Sequence, residues 1–250
     1  MGQITNAASL YAEVSDIQRE RGLDLMAAAA PAPGESVLDL GCGTGDLTVD
    51  LAKRVGLTGK VVGLDPDRDR LALAALTVPK FLTGLHFRSG KGEDLSTFAS
   101  DSFDLVYSNY VFHWIADKER LMQEVHRCLK PGGRCAVELC GQLGSLIDRL
   151  ILRAEAEGQE LPRPILCRTA AQWRRLLEDS GFEVEQAETL DVAYSFASFE
   201  AFSDWWEGTT HGTIRATTLD PDYCDELRDH FDGGGTFTTH PVRFIARKPG

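Results

Sequence analysis

The sequence predicts an α/β fold, a mostly parallel sheet doubly wound with helices on both faces, and three observations carry that expectation. Short apolar runs at 37–40, 60–64 and 103–108 have the length and composition of buried parallel strands. Stretches of helical length separate them, so that strand and helix alternate. A glycine-rich turn follows the first run directly, joining strand to helix as a βαβ unit requires.

Leu10, Val14 and Ile17 fall at helical spacing and an alanine run at 27–30 extends the pattern, until Pro31 and Pro33 stop it. After the glycine turn a helix is predicted at 46–54, a strand at 60–64, and a helix at 67–76 with Leu71, Ala74 and Ala75 on one side. Strands at 85–89 and 103–108, a helix at 117–129, a Pro131-Gly132-Gly133 turn and a strand at 135–139 continue the alternation. Beyond Cys140 the pattern loosens into a helix at 143–157, a loop at Pro162 and Pro164, a helix at 170–180, a strand at 182–192 and a helical segment at 199–206. The final strand is expected at 242–247, with Pro241 at its start because proline cannot donate to a ladder. One domain is expected over 1–250: a helical segment to residue 33, a ligand-binding core at 34–140, and a second half with insertions near 141–168 and 194–232.

Of 250 residues 43% are apolar, as in an ordinary globular protein, and the net charge of -12 repels phosphate backbones, which argues against a nucleic-acid partner. The cysteines at 42, 128, 135, 140, 167 and 224 form no CxxC pair and have no histidines at ligand spacing, so free thiols in the cytoplasm are expected, with no metal. Residues 1–16 lack a basic start with an apolar run, and no stretch approaches the ~18 apolar residues of a membrane span.

The segment Asp39-Leu40-Gly41-Cys42-Gly43-Thr44-Gly45 lets the backbone turn sharply and a ligand approach closely. A dinucleotide fingerprint would place glycine where this chain has Asp46, an anion at the helix N-terminus that disfavours a pyrophosphate and hence a NAD-dependent reductase. Asp39 instead suits a cationic, phosphate-free adenosine compound. Asp65, at the end of the second strand before Pro66, stands where a carboxylate accepts ribose hydroxyls; the bland alternative is a helix N-cap.

VLDLGCGTGDLT at 37–48, VVGLDPD at 61–67, FDLVYSNYVFHWI at 103–115 and LKPGG at 129–133 resemble the class I S-adenosylmethionine (SAM)-dependent methyltransferases over residues 30 to 140. The resemblance implies a Rossmann-like sheet of seven strands, the last antiparallel, with SAM at the carboxyl ends of the first strands. It implies SAM contacts from Asp39, Gly41, Cys42, Gly43, Gly45, Asp65 and Pro66, and from Ser108 and Asn109. Lys91 is a departure, because similar proteins carry there an acid for the adenine amino group. Lysine cannot accept that bond, so Glu93 or Asp94 stands in, or the adenine is held by backbone and packing, with Gly92 among the contacts.

The stretch at 108–114 also resembles carboxylate O-methyltransferases acting on trans-aconitate, malonyl carrier protein and juvenile hormone acid, and the run at 11–19 resembles the last of these, which together make Gln18, His113 and Trp114 the candidates for handling a small carboxylic acid. A carboxylic acid of pKa about 4 is already ionised, whereas an amine of pKa about 10 must first lose a proton at roughly 4 kcal/mol. Gln18 and Trp114 would then orient the acid as neutral donors. His113 lines the pocket on that reading and is a general base if carbon or nitrogen is methylated. Phe196, Phe199, Phe202, Trp205 and Trp206 are either core or the wall of a site for a lipophilic acid. A non-catalytic SAM-binding module is the alternative of another class.

Overall fold

The computed structural model describes residues 16–161 and 165–250. The expectations placed on Leu10, Val14 and the loop at Pro162 and Pro164 lie outside them. The chain runs α1 (Asp16–Ala29), β1 (Ser36–Leu40), α2 (Asp46–Val55), β2 (Lys60–Asp65), α3 (Arg68–Thr77), β3 (Leu85–Ser89), β4 (Phe103–Asn109), a 3-10 turn at Phe112–Trp114, α4 (Lys118–Cys128) and β5 (Leu129–Gln142). It continues with α5 (Ser145–Ala156), α6 (Ala170–Asp179), β6 (Glu183–Thr189), β7 (Val192–Ser195), α7 (Phe199–Thr209), a 3-10 turn at Ala216–Thr218, α8 (Pro221–Asp232) and β8 (Thr236–Arg247).

Seven strands lie in the order β3-β2-β1-β4-β5-β8-β6. The first five are parallel, and β8 runs antiparallel to both its neighbours. Alternation along the strands feeds the two faces. Val37 and Leu105 join Leu25, Met26 and Leu51 in one cluster, while Leu38 and Val106 join Leu121, Trp173 and Phe244 in the other. No described helix is long and apolar enough to cross a membrane.

The chain departs from the sequence reading in four places, three of them beyond Cys140. The strand expected at 182–192 breaks after Thr189, and β7 pairs as an eighth strand with the first half of β8, Val192 opposite Thr239 and Ser195 opposite Thr236. The final strand therefore begins at Thr236 and not at 242. Pro241 sits inside it, at the passage from one ladder to the other, where its carbonyl accepts the Leu190 N–H at 2.8 Å and no proline donor is needed. The PGG turn likewise lies within β5, whose register against β4 shifts between Phe103 and Leu105. Helix α8 was not anticipated, although Asp220 accepts from the Tyr223 N–H, Pro221 occupies the first turn, and Cys224, Leu227 and Phe231 are buried at helical spacing.

A third apolar cluster unites α5, β7, α7 and α8, with Phe202 stacked on Phe231 at 4.3 Å between ring centroids. Most of the aromatic stretch belongs to it: Phe199 and Phe202 are fully buried, and Phe196 packs on Phe202, Phe231 and Phe237.

Glu138, fully buried on β5, joins three elements. Its Oε1 accepts from Arg21 Nε of α1 at 2.8 Å and its Oε2 from Arg243 Nε of β8 at 2.7 Å. Arg134 closes the other end of α1, donating to the Ala29 carbonyl at 2.6 Å and pairing with Glu35 at 2.8 Å. Breaking a buried ion pair from one side strands the other charges, at a cost of about 3–5 kcal/mol. Glu138→Gln is therefore expected to lower the urea midpoint by that free energy, and a loss below about 1 kcal/mol would show that the triad does not anchor α1.

Candidate active site

The glycine turn is fastened to the end of β2. The Leu64 carbonyl accepts both the Gly41 N–H at 2.7 Å and the Cys42 N–H at 3.1 Å, and Asp65 Oδ2 accepts the Gly43 N–H at 2.9 Å. A Cβ at Gly41 would stand 2.2 Å from Val111 Cγ2, and φ there is +80°, so only glycine fits. Asp65 is not a helix cap: Asp67, two residues on, accepts from the Asp69 and Arg70 N–H groups, while Asp65 Oδ1 accepts the Asp67 N–H at 2.8 Å.

Above this turn opens a cavity of about 290 Å³. Asp39, Gly41, Cys42, Gly43, Asp65, Pro66, Gly92, Glu93 and Asn109 all line it, as do Gln18, His113 and Trp114. Burial pushes the Asp39 carboxyl up to about 7, opposed by the Thr48 hydroxyl donating to its Oδ2 at 2.7 Å and reinforced by the charge of Asp65. Burial raises Asp65 too, against the two backbone donors it accepts. Asp46 accepts from the Thr44 hydroxyl at 2.9 Å and borders the cavity, adding negative charge at the start of α2.

A second cavity of about 60 Å³ adjoins the first, and Gln18, Tyr110, His113, Trp114 and Thr209 border both. His113 is buried with its Nδ1 accepting the Cys140 N–H at 3.2 Å, so the ring hydrogen is on Nε2. Burial, with the nearby Lys118 ammonium, pulls its pKa down to about 3. The ring is a neutral N–H donor. Gln18 Oε1 accepts the Trp205 indole N–H at 3.1 Å, and its Nε2 donates to Thr209 Oγ1 at 3.3 Å.

The methyltransferase-domain family model matches residues 31–196. The chain is 37% identical to a trans-aconitate 2-methyltransferase of Deinococcus radiodurans over 96% of each protein. The chain belongs to the class I SAM-dependent methyltransferases. A shorter match, 40% identical over 108 residues and covering 42% of this chain and 41% of its relative, is to a chloroplastic 2-phytyl-1,4-beta-naphthoquinone methyltransferase of Arabidopsis thaliana. Among solved structures, a phosphoethanolamine N-methyltransferase 2 of Haemonchus contortus in complex with SAM matches with a TM-score of 0.65 at 18% identity, over 97% of this chain and 57% of that one.

The residues of this methyltransferase fit SAM on their own chemistry. Asn109 donates through Nδ2 to the Gln18 carbonyl at 2.8 Å, while its buried Oδ1, on a side chain bordering the larger cavity, has no protein partner among the described residues. Such an acceptor calls for a ligand donor, and Asp39 and Asp65 provide negative charge beside it. Three sequence candidates stand outside the cavity wall. Ser108 is fully buried and spends its hydroxyl on the Leu40 carbonyl at 2.7 Å. Gly45 turns the chain into α2 at φ +85°. The Asp94 carboxylate is turned to Ser96, whose hydroxyl and then N–H, the latter at 3.1 Å, draw its pKa down, so Glu93 alone of the two acids faces the cavity.

Gln18 also differs from its expected part, since both functional ends of its amide hold α7, leaving one N–H. The sequence reading missed Arg70, Thr209 and His211 on the larger cavity's wall. Thr209 and His211 come from the end of α7, which no local pattern links to a turn more than 150 residues earlier. Tyr110 was legible from its place just after β4; its φ of +57° and its hydroxyl 3.1 Å from that of Tyr194 were not. With the ring neutral and Nδ1 engaged, nitrogen-15 NMR of the histidine-labelled protein is expected to show an unchanging Nε2–H tautomer for His113 from pH 5 to 8. A titration near 6.5 would contradict its burial.

Proposed function

We propose that this methyltransferase esterifies the carboxylate of a small acid held in the smaller cavity. The observation that carries the reading is the proton inventory of His113: an N–H is available at Nε2 and no lone pair is free to take a proton. Carbon and nitrogen acceptors need a base at that point, whereas an ionised carboxylate needs a donor to orient it. The relative named for trans-aconitate supports an acid as acceptor.

SAM supplies a methyl group on a cationic sulfonium. Asp65 would accept the ribose hydroxyls, Glu93 would face the adenine in place of Lys91, and Asp39 and Asn109 Oδ1 would face the cationic portion. On the acceptor side, His113 Nε2–H, the remaining Gln18 N–H and the Trp114 indole would orient one carboxylate oxygen. Tyr110 and Trp114 border both cavities and would exclude water from the junction with both ligands bound. Good positioning of this kind can supply about 7 to 11 kcal/mol of the barrier. The described residues of 141–168, with 194–232, would form the cap on this reading. Within the aromatic stretch only Trp205 and Trp206 reach the smaller cavity, which suits an apolar body on the acid.

A panel of acids offered with methyl-labelled SAM is expected to give a product whose label is released by mild alkali, as from an ester. An alkali-stable product would overturn the carboxylate reading. His113→Gln, which keeps a donor, should retain turnover within about tenfold, and its abolition would instead mark a base.

Asp39 sets a pH dependence. Its pKa of about 7 in the free protein means that a cationic ligand, which favours the charged carboxylate, must displace a proton below neutrality. SAM affinity is therefore expected to weaken by about tenfold between pH 8 and 6, with proton release seen by calorimetry in buffers of different ionisation enthalpy. A flat profile would remove Asp39 from the cation's surroundings.

A further inference from the structure

Two free thiols meet at the edge of the smaller cavity. Cys140, buried near the end of β5, and Cys167, exposed in the segment leading to α6, hold their sulfurs 3.3 Å apart. A disulfide needs about 2.05 Å, so closure takes a displacement of little more than 1 Å. Cys140 lies at the register shift of β5 between Leu139 and Gln142 and is held by its N–H bond to the buried His113, so the approach falls to the segment carrying Cys167.

The two thiols are chemically unequal. The Cys140 thiol is pushed up by its hydrogen bond to Cys167 and by burial, whereas the Cys167 thiol is drawn down by accepting that bond, with a further contribution from the Lys118 ammonium. An exposed sulfur with thiolate character beside a buried resolving thiol is the arrangement that reacts with peroxides and stops at a disulfide. Its neighbours connect it to the cavity: Cys140 lines the wall, and Leu166, adjacent to Cys167, donates its N–H to the His113 carbonyl at 2.9 Å.

We propose that Cys140 and Cys167 are a redox pair that closes to a disulfide on reaction with a peroxide and so stiffens the cavity wall around His113. The Cys167 thiolate attacks a peroxide oxygen, the O–O bond breaks, and Cys167 becomes a sulfenic acid as hydroxide leaves. The Cys140 sulfur then attacks that sulfenyl sulfur; the S–S bond forms, the S–O bond breaks, and water departs with the Cys140 proton. Two thiols are oxidised by two electrons and one hydrogen peroxide is reduced to two waters. This inference stands whatever the acceptor is, because neither step involves SAM or an acid.

The test is dilute hydrogen peroxide on the full chain, read by intact mass, peptide mapping and hydrogen exchange. The expected result is a loss of two hydrogens mapped to a 140–167 cross-link, reversed by a thiol reductant, with exchange in the peptide containing Leu166 slowed tenfold or more. Cys167→Ser should show neither change, and SAM affinity should stay within twofold of the reduced protein because neither sulfur lines the larger cavity. Oxidation of Cys167 to sulfinic or sulfonic acid without a cross-link, or two thiols that both remain alkylatable, would overturn the pair. A cross-link with unchanged exchange at Leu166 would overturn the stiffening.

Discussion

Glu138 is the charge around which the second half of the molecule is ordered. It is fully buried, so it must be answered, and the two guanidiniums that answer it arrive from opposite ends of the chain. Arg21 brings α1, and with it Gln18, to the carboxyl edge of the sheet. Arg243 fixes β8 opposite Glu138 in the antiparallel ladder. The Glu138 carbonyl accepts the Tyr110 N–H at 2.7 Å, and Asn109 lies beside it across β4 and β5. Through its carboxylate Glu138 positions Gln18, and through its backbone it holds Tyr110 and pairs with Asn109, three residues that border the cavities.

The larger cavity carries the opposite kind of electrostatics. Asp39 and Asp65 are buried and accept hydroxyl and backbone donors, with the nearby Arg70 charge opposing the rise of Asp65. Burial raises both, and the charge of Asp65 raises Asp39 further. A site in that state spends folding stability to remain receptive to a positive ligand. The same sequence thus places charge in two ways, paired where it organises the fold and poorly compensated where a cation is to be taken up.

The first half of this architecture was legible because its signals are local. Each strand is one apolar run, each helix follows it within a few residues, and the glycine turn and Asp65 announce themselves at fixed offsets. The second half was less so, because its elements answer to distant partners. β6 and β7 read as one strand until Pro241, in β8, is seen to force two ladders. α8 carried its own Asp-Pro start and apolar spacing and could have been found. The wall residues Thr209 and His211 could not, since only the folding of α7 over the sheet brings them to the glycine turn. Ser108 illustrates the reverse error: it follows the motif in sequence, yet the alternation of β4 turns its hydroxyl to the Leu40 carbonyl.

The proposed esterification would account for the lining of the smaller cavity, where the described residues include no lysine or arginine. As a carboxylate oxygen takes a methyl cation its negative charge vanishes, so a cationic side chain would hold the starting anion more tightly than the transition state and slow the reaction. Neutral donors align the oxygen and lose less as the charge disappears. His113 can play that part only because burial keeps it unprotonated, and the Cys140 N–H determines which ring nitrogen bears the hydrogen. The apolar surroundings that make an ionised histidine unfavourable are therefore what would fit this pocket to the proposed anionic acceptor.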